Sequence, residues 1–270
     1  MMAGGPGGSV RSLWEHMFVC GPTVRTEVLA LVEAGVNDCE ISRRTGIPRT
    51  TVRDMRAPTY VRKTKAVICP RCHRPGRQLT FSAADYCELL GLYLGDGHIT
   101  QMERTQRLRI TLDTKYPTIV AEALELLRRC FPNNSVGSHP QHGGTCIVVW
   151  VYCSHLSCLF PQHGEGLKHE RAIVLEPWQQ RLVALEPWPL IRGLIRSDGC
   201  SFVNRTGPYE YPSYAFSNCS EGVVEIFSMA CRAVGLKLRT TFTPGRRIWH
   251  VRINRRECVA LLDEHVGKKA

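Results

Sequence analysis

The sequence predicts an α+β protein in which one αββαββα unit occurs twice, behind a short all-helical segment. Two observations predict it. Leu89-Leu90-Gly91-Leu92-Tyr93-Leu94-Gly95-Asp96-Gly97 recurs as Ile191-Arg192-Gly193-Leu194-Ile195-Arg196-Ser197-Asp198-Gly199, and the hydrophobic periodicity after each copy runs through the same order of elements.

After the first copy, Leu108 to Leu112 alternates like a strand, and Ile119, Ala123, Leu127 and Cys130 fall at helical spacing. A second strand pair follows, with Thr145 to Tyr152 its clearest member, and then an apolar helical stretch from Ala172 to Leu185. After the second copy, Tyr211 to Ser217 reads as a strand, and Val223, Phe227, Ala230 and Val234 repeat the helical spacing. Leu236 to Phe242 and Ile248 to Ile253 then read as strands leading into a helix from Arg256 to His265.

Within each motif a small residue follows the first glycine by four positions, so both lie on one helix face and another helix can approach closely. Each motif ends in Asp-Gly. An Asp in the last helical turn opposes the negative end of the helix dipole, and the next Gly is expected as a left-handed stop. A single such Asp is compatible with an ordinary glycine-capped helix. Two at matching positions suggest paired acids delivered to one place by a helix pair.

Composition supplies a partner. A net charge of +11 implies a polyanion, and 43% hydrophobic content excludes wholesale disorder. No apolar run approaches membrane length, and the N-terminal Gly-Gly-Pro-Gly-Gly stretch does not resemble a signal peptide. A cytoplasmic location, nucleoid-associated in a bacterium, is therefore expected. Thirteen cysteines, an odd number scattered over core-like positions such as Cys87, Cys130 and Cys231, are expected as reduced thiols or metal ligands.

The paired motif and its repeated background resemble the LAGLIDADG homing endonucleases over residues 82 to 266. The resemblance implies two pseudo-symmetric halves, 82–185 and 186–266, forming a DNA-binding saddle and acting as a monomer. It implies site-specific double-strand cleavage across the minor groove, and an element of intron or intein mobility. Asp96 and Asp198 would be catalytic and hold two or more Mg²⁺ ions, with the carbonyls of Gly95 and Ser197 as further ligands. Lys168 matches a basic catalytic residue of the first half. Arg255, with Arg252 as alternate, is the choice for the second. Asp113 and Asn218 fall where the family often positions water, although helix capping explains them equally well. Strand arginines that could read guanine or meet phosphate are Arg107, Arg109, Arg205, Arg239, Arg246, Arg247 and Arg252. A regulator using the same scaffold without cleavage, or an RNA maturase, would share the basic saddle. Retention of both acids favours chemistry.

Residues 1–22 read as a flexible segment and 23–57 as a helix-turn-helix DNA reader, with a plain three-helix scaffold as the alternative. Arg25 to Ala34 is an amphipathic helix stopped by Gly35, Asn37 or Asp38 can cap a second helix through Arg44, and Gly46 turns into a third from Pro48 to Met55. Arg49, Thr50, Thr51 and Arg53 are its candidate DNA contacts. Residues 58–81 form a basic linker carrying Cys69 and Cys72, half of a structural zinc site or an exposed reduced pair. A second candidate zinc cluster comprises Cys153, Cys158, His163 and His169, with His155 among them. Its alternative is core cysteines beside phosphate-facing histidines.

Overall fold

The computed structural model describes residues 22–56, 67–69, 75–76 and 81–269, and the chain divides into two units, Met1–Lys65 and Ala66–Ala270. The expected N-terminal segment before residue 22 and most of the 58–81 linker, Cys72 included, lie outside the described residues.

In the first unit, α1 spans Pro22–Glu33, α2 Asp38–Thr45 and α3 Arg49–Arg56. The Asn37 side chain accepts from the amides of Cys39 and Glu40 at 3.1 and 3.0 Å, satisfying donors that α2 leaves open. Gly46 closes α2 in the left-handed conformation. Val28, Ile41, Ile47, Val52 and Met55 form the buried core. Arg56 bonds Asp38 and the Val36 carbonyl, each at 2.8 Å, tying α3 back to the start of α2.

The second unit opens with a short antiparallel pair, β1 (Val67–Ile68) and β2 (Pro75–Gly76). The first half then runs α4 (Ala83–Asp96), β3 (Gly97–Gln101), β4 (Gln106–Asp113), α5 (Pro117–Cys130), β5 (Val136–Gln141), β6 (Cys146–Tyr152) and α6 (Leu156–Leu159). After α7 (Pro177–Leu185), the second half runs α8 (Pro187–Asp198), β7 (Gly199–Thr206), β8 (Tyr209–Asn218), α9 (Glu221–Ala233), β9 (Arg239–Thr243), β10 (Ile248–Ile253) and α10 (Arg256–His265). The two antiparallel sheets have matching orders, β3-β4-β6-β5 and β7-β8-β10-β9. Alternate residues of their strands, such as Leu108, Ile110, Val149, Val151, Tyr214, Phe216, Val251 and Ile253, bury against the helices in one continuous core. The intervening residues face away from it.

Two expectations need correction. The helix read from Ala172 begins at Pro177, because the chain before it is extended and Glu176 and Gln179 form a capping box at that point. By distance from its strand, the counterpart of α10 is α6, which is cut to one turn, and α7 lies between the halves. The glycines after the acids are not left-handed stops: Gly97 has φ −81° and Gly199 φ −98°. Each helix passes straight into a strand, and a Cβ would lie 2.7 Å from the Tyr93 oxygen at Gly97 and 2.6 Å from Ile195 Cα at Gly199, so glycine is required by space.

The helices α4 and α8 cross with backbones in contact. A Cβ on Gly91 would stand 2.6 Å from the Leu190 oxygen, 2.8 Å from the Leu194 nitrogen and 2.9 Å from Gly193 Cα. Glu88 on α4 accepts from Arg196 at 2.7 Å and Arg192 at 3.4 Å, both on α8, and Arg196 also meets Glu122 of α5 at 2.7 Å.

Because the atoms facing Gly91 are backbone and cannot rotate away, Gly91→Ala is expected to destabilise the protein by at least about 2 kcal/mol. An unchanged denaturation midpoint in urea would contradict this packing.

Candidate metal centre and nucleic-acid interface

The crossing brings the C-terminal ends of α4 and α8 together, and with them Asp96 and Asp198. A Cβ on Gly95 would stand 2.1 Å from Ser197 Oγ, 2.5 Å from Ser197 Cβ and 3.0 Å from Asp198 Oδ2, so the first motif's small residue makes room for the second motif's Ser-Asp pair. Burial pushes the Asp96 carboxyl up to about 7, and the neighbouring Asp198 charge adds to it against opposing effects of Lys269 and Lys168. Burial likewise raises Asp198, opposed by a hydrogen bond that the Asn218 amide donates at 2.7 Å to Oδ2. Asn218 serves twice, since its Oδ1 accepts from the Ser220 amide at 2.7 Å at the start of α9. Asp113 is exposed at the corresponding strand end and accepts from the Lys115 amide at 2.9 Å.

Each helix end is held by a lysine. Lys168 Nζ donates to the carbonyls of Tyr93 at 2.6 Å, Leu94 at 3.1 Å and Gly95 at 2.8 Å, above the Tyr93 ring. Lys269 Nζ donates to Ser197 O at 2.7 Å and Gly199 O at 3.3 Å, above the Tyr116 ring. These ammonium groups satisfy carbonyls that a helix leaves open at its C-terminus. The Gly95 and Ser197 carbonyls therefore each accept a lysine, and a carbonyl's second lone pair remains for another partner. Burial lowers Lys168 to about 8 and also lowers Lys269, each against the attraction of both acids.

Lys269 takes the position assigned from sequence to Arg255, which is a correction. Arg255 instead lines a basic hollow with Arg232, Lys237, Arg239 and Arg252 and pairs with Glu257 at 3.8 Å. Sequence contained the signal for Lys269: Gly166-Leu167-Lys168 and Gly267-Lys268-Lys269 share the pattern Gly-x-Lys, 72 and 71 residues from Asp96 and Asp198 to the lysines. Both glycines are left-handed, φ 76° and 78°, and turn the chain towards its helix end. The resemblance ended at 266 and passed over it.

The acids open into a cleft of about 530 Å³ lined also by His98, His163, Lys168, His169 and Arg171. Arg171 braces the loop before Lys168 through bonds to the carbonyls of Gln162, Gly164, Glu165 and Gly166 at 2.8–3.2 Å. Burial lowers both His98 and His163, favouring neutral imidazole. The expected grouping of His163 and His169 with Cys153 and Cys158 is thus replaced. Both histidines face the acid cleft, whereas Cys158 lies with His155 and Cys69.

On the helix-free face of the first sheet, His98, Arg109 and Trp150 form one cross-strand row, and Thr100, Arg107 and Tyr152 the next. The Arg107 guanidinium lies 5.8 Å from the centroids of both the Trp150 and Tyr152 rings. The Nε atoms of Arg107 and Arg109 are buried with no hydrogen-bond partner among the described residues. On the second sheet Arg252 stands opposite Arg239 and is exposed, as are Arg246 and Arg247 in the β9–β10 turn. Arg205 is drawn into a 2.9 Å bridge with Glu210. In the first unit Arg49, Thr50 and Arg53 are exposed on α3 and Thr51 is half-buried. Sequence reasoning passed over His98, Trp150 and Tyr152, whose strand alternation with Arg107 and Arg109 places them on the same face.

No protein-family model matches the sequence, and no curated protein matches it. Solved structures similar to it include I-DmoI in complex with DNA and Mn, at 14% identity and TM-score 0.49 over 68% of this chain and 97% of that one. The N-terminal LAGLIDADG domain of DUF199/WhiA has 13% identity and TM-score 0.45 over 70% and 84%. Full-length DUF199/WhiA from Thermatoga maritima has 15% identity and TM-score 0.47 over 71% of this chain and 58% of that one.

Proposed function

We propose that the Ala66–Ala270 unit is a divalent-cation-dependent endonuclease that cuts both strands of duplex DNA, one acid centre serving each strand. The observation that carries this reading is the pair of half-buried carboxylates, Asp96 and Asp198, at the touching ends of two helices, each end held by its own lysine.

The residues fit hard cations. Carboxylate oxygens and the carbonyls of Gly95 and Ser197 form an oxygen donor set of the type Mg²⁺ takes, and two acids that repel each other when ionised favour a cation between them. Bound Mg²⁺ would neutralise charge on the reacting phosphate and lower the pKa of water. The chain supplies the rest. Asp96 and Asp198 hold the charge that recruits the cations, while Asn218 fixes the Asp198 rotamer. Lys168 and Lys269 lie near enough for the acids to act on them electrostatically, and their ammonium groups can stabilise developing negative charge or give up a proton to the leaving oxygen. Arg107, Arg109, Arg239, Arg246, Arg247 and Arg252 offer a basic face to the phosphate backbone. The helices α2 and α3 would act as a helix-turn-helix that lengthens the site, with Arg49, Thr50, Thr51 and Arg53 towards DNA. One chain holds both acid centres, so activity as a monomer follows.

Cleavage of a site selected from a random duplex library tests the reading. Asp96→Asn and Asp198→Asn are each expected to slow cleavage by at least about 10³-fold, the loss of several kcal/mol of charge stabilisation, while duplex affinity changes little. Lys269→Met is expected to slow it by roughly 10²-fold with binding kept, and Arg255→Met to leave the rate near wild type. Tight binding by wild type that leaves the duplex intact in Mg²⁺ and Mn²⁺ would overturn the nuclease reading in favour of a regulator.

The acid pair also makes stability depend on pH. With the Asp96 carboxyl at about 7 in the folded protein against an ordinary 3.8, the native state keeps a proton that the unfolded chain loses between those values. Stability without metal therefore falls as pH rises from about 4 to 7. In chelator at pH 8, Asp96→Asn is expected to melt at least about 3 °C above wild type, and the difference should vanish near pH 4. A variant that melts lower at pH 8 would show that the carboxylate is stabilised where it lies.

A further inference from the structure

We propose that Cys69, His155 and Cys158 are ligands of a structural zinc ion, the fourth corner of the tetrahedron being left to a further donor. The side-chain donor atoms of the first three lie within 4.8 Å of one another, although Cys69 comes from the segment before the first half and the other two from the end of it. Zn–S distances near 2.3 Å and Zn–N distances near 2.0–2.1 Å put neighbouring ligand atoms about 3.3–3.8 Å apart, so a small side-chain adjustment closes the sphere. The sequence provides two complementary pairs with three-residue spacing. Cys69-Pro-Arg-Cys72 lies between the paired strands β1 and β2, and His155-Leu-Ser-Cys158 opens α6. The His155 backbone is set for this: its amide donates to Cys153 Sγ at 3.4 Å and its carbonyl accepts from the Cys158 amide at 3.0 Å.

The donor chemistry separates this centre from the acid cleft. Thiolates and imidazole select zinc, whereas the oxygen donors at Asp96 and Asp198 suit Mg²⁺. These thiolate-rich donors stand apart from the residues that line the acid cleft, so the ion is structural rather than catalytic. Its place in the fold gives the reason for it. The helix α6 has four residues where its counterpart α10 has ten, and a cross-link to Cys69 would hold the segment that leads on to Lys168.

Zinc content of the purified, reduced full-length protein tests the proposal. One zinc per chain is expected, retained in Asp96→Asn and in Cys146→Ser, and reduced at least tenfold after dialysis in Cys69→Ser and Cys158→Ser. X-ray absorption at the zinc edge of the wild-type protein, which does not depend on any variant folding, should show a sulfur-dominated four-coordinate sphere with nitrogen. Substoichiometric zinc in wild type, an oxygen–nitrogen sphere, or undiminished zinc in Cys69→Ser and Cys158→Ser would overturn it. Because Asp96→Asn separates the two metals, a protein that holds zinc without cutting DNA fails only the nuclease reading.

Discussion

Everything in the larger unit depends on the backbone contact between α4 and α8. Gly91 and Gly193 sit at this crossing, and neither tolerates a Cβ, which would stand 2.6 Å from the Leu190 oxygen and 2.2 Å from the Glu88 oxygen respectively. That approach fixes how far apart the helix ends are, and therefore whether two carboxylates meet. It also joins the cores of the two halves, so the element that positions the site is among the most deeply buried in the unit. The scaffold and the site share one interface, which keeps the acid pair preorganised.

Bringing two helix C-termini together collects negative potential, because each end carries open carbonyls and a partial negative charge. Adding Asp96 and Asp198 would be prohibitive without compensation. Lys168 and Lys269 answer both demands at once, donating to the helix carbonyls while lying near the acids. Their own lowered proton affinity records that they too are desolvated. The result is a cluster of four ionisable groups in near balance, which a cation or a phosphate can tip.

The fold was legible because its signals are repeated and periodic. Strands β10 and helix α10 have the bounds that alternation and helical spacing indicate, and α5 buries Ile119, Ala123, Leu127 and Cys130 as their spacing requires. The site was legible in its acids, which end two recognisable helices. It was less so in its cations. Lys269 lies outside the resemblance and is identified by a Gly-x-Lys turn, a pattern too short to stand out until Gly166 and Gly267 are seen to share a conformation. Cys69 and Cys158 could not be paired from sequence, since nothing in local spacing says that β1–β2 and α6 meet. The cap after each acid was misread because a left-handed stop and a direct helix-to-strand passage both call for glycine, one for its φ and the other for lack of space.

The ion pairs across the helix crossing are one-sided. Glu88 receives Arg192 and Arg196 from α8, yet the residue matching Glu88 in the second motif is Leu190, and those matching the arginines in the first are Leu90 and Leu94. A patch of this kind is no longer self-complementary. If two copies of the first half paired with each other, both glutamates would be left largely buried opposite leucines, at a cost of several kcal/mol. The two motif helices thus fit one another as a lock fits its key and not as identical partners. Either half, expressed separately, should choose the other over itself.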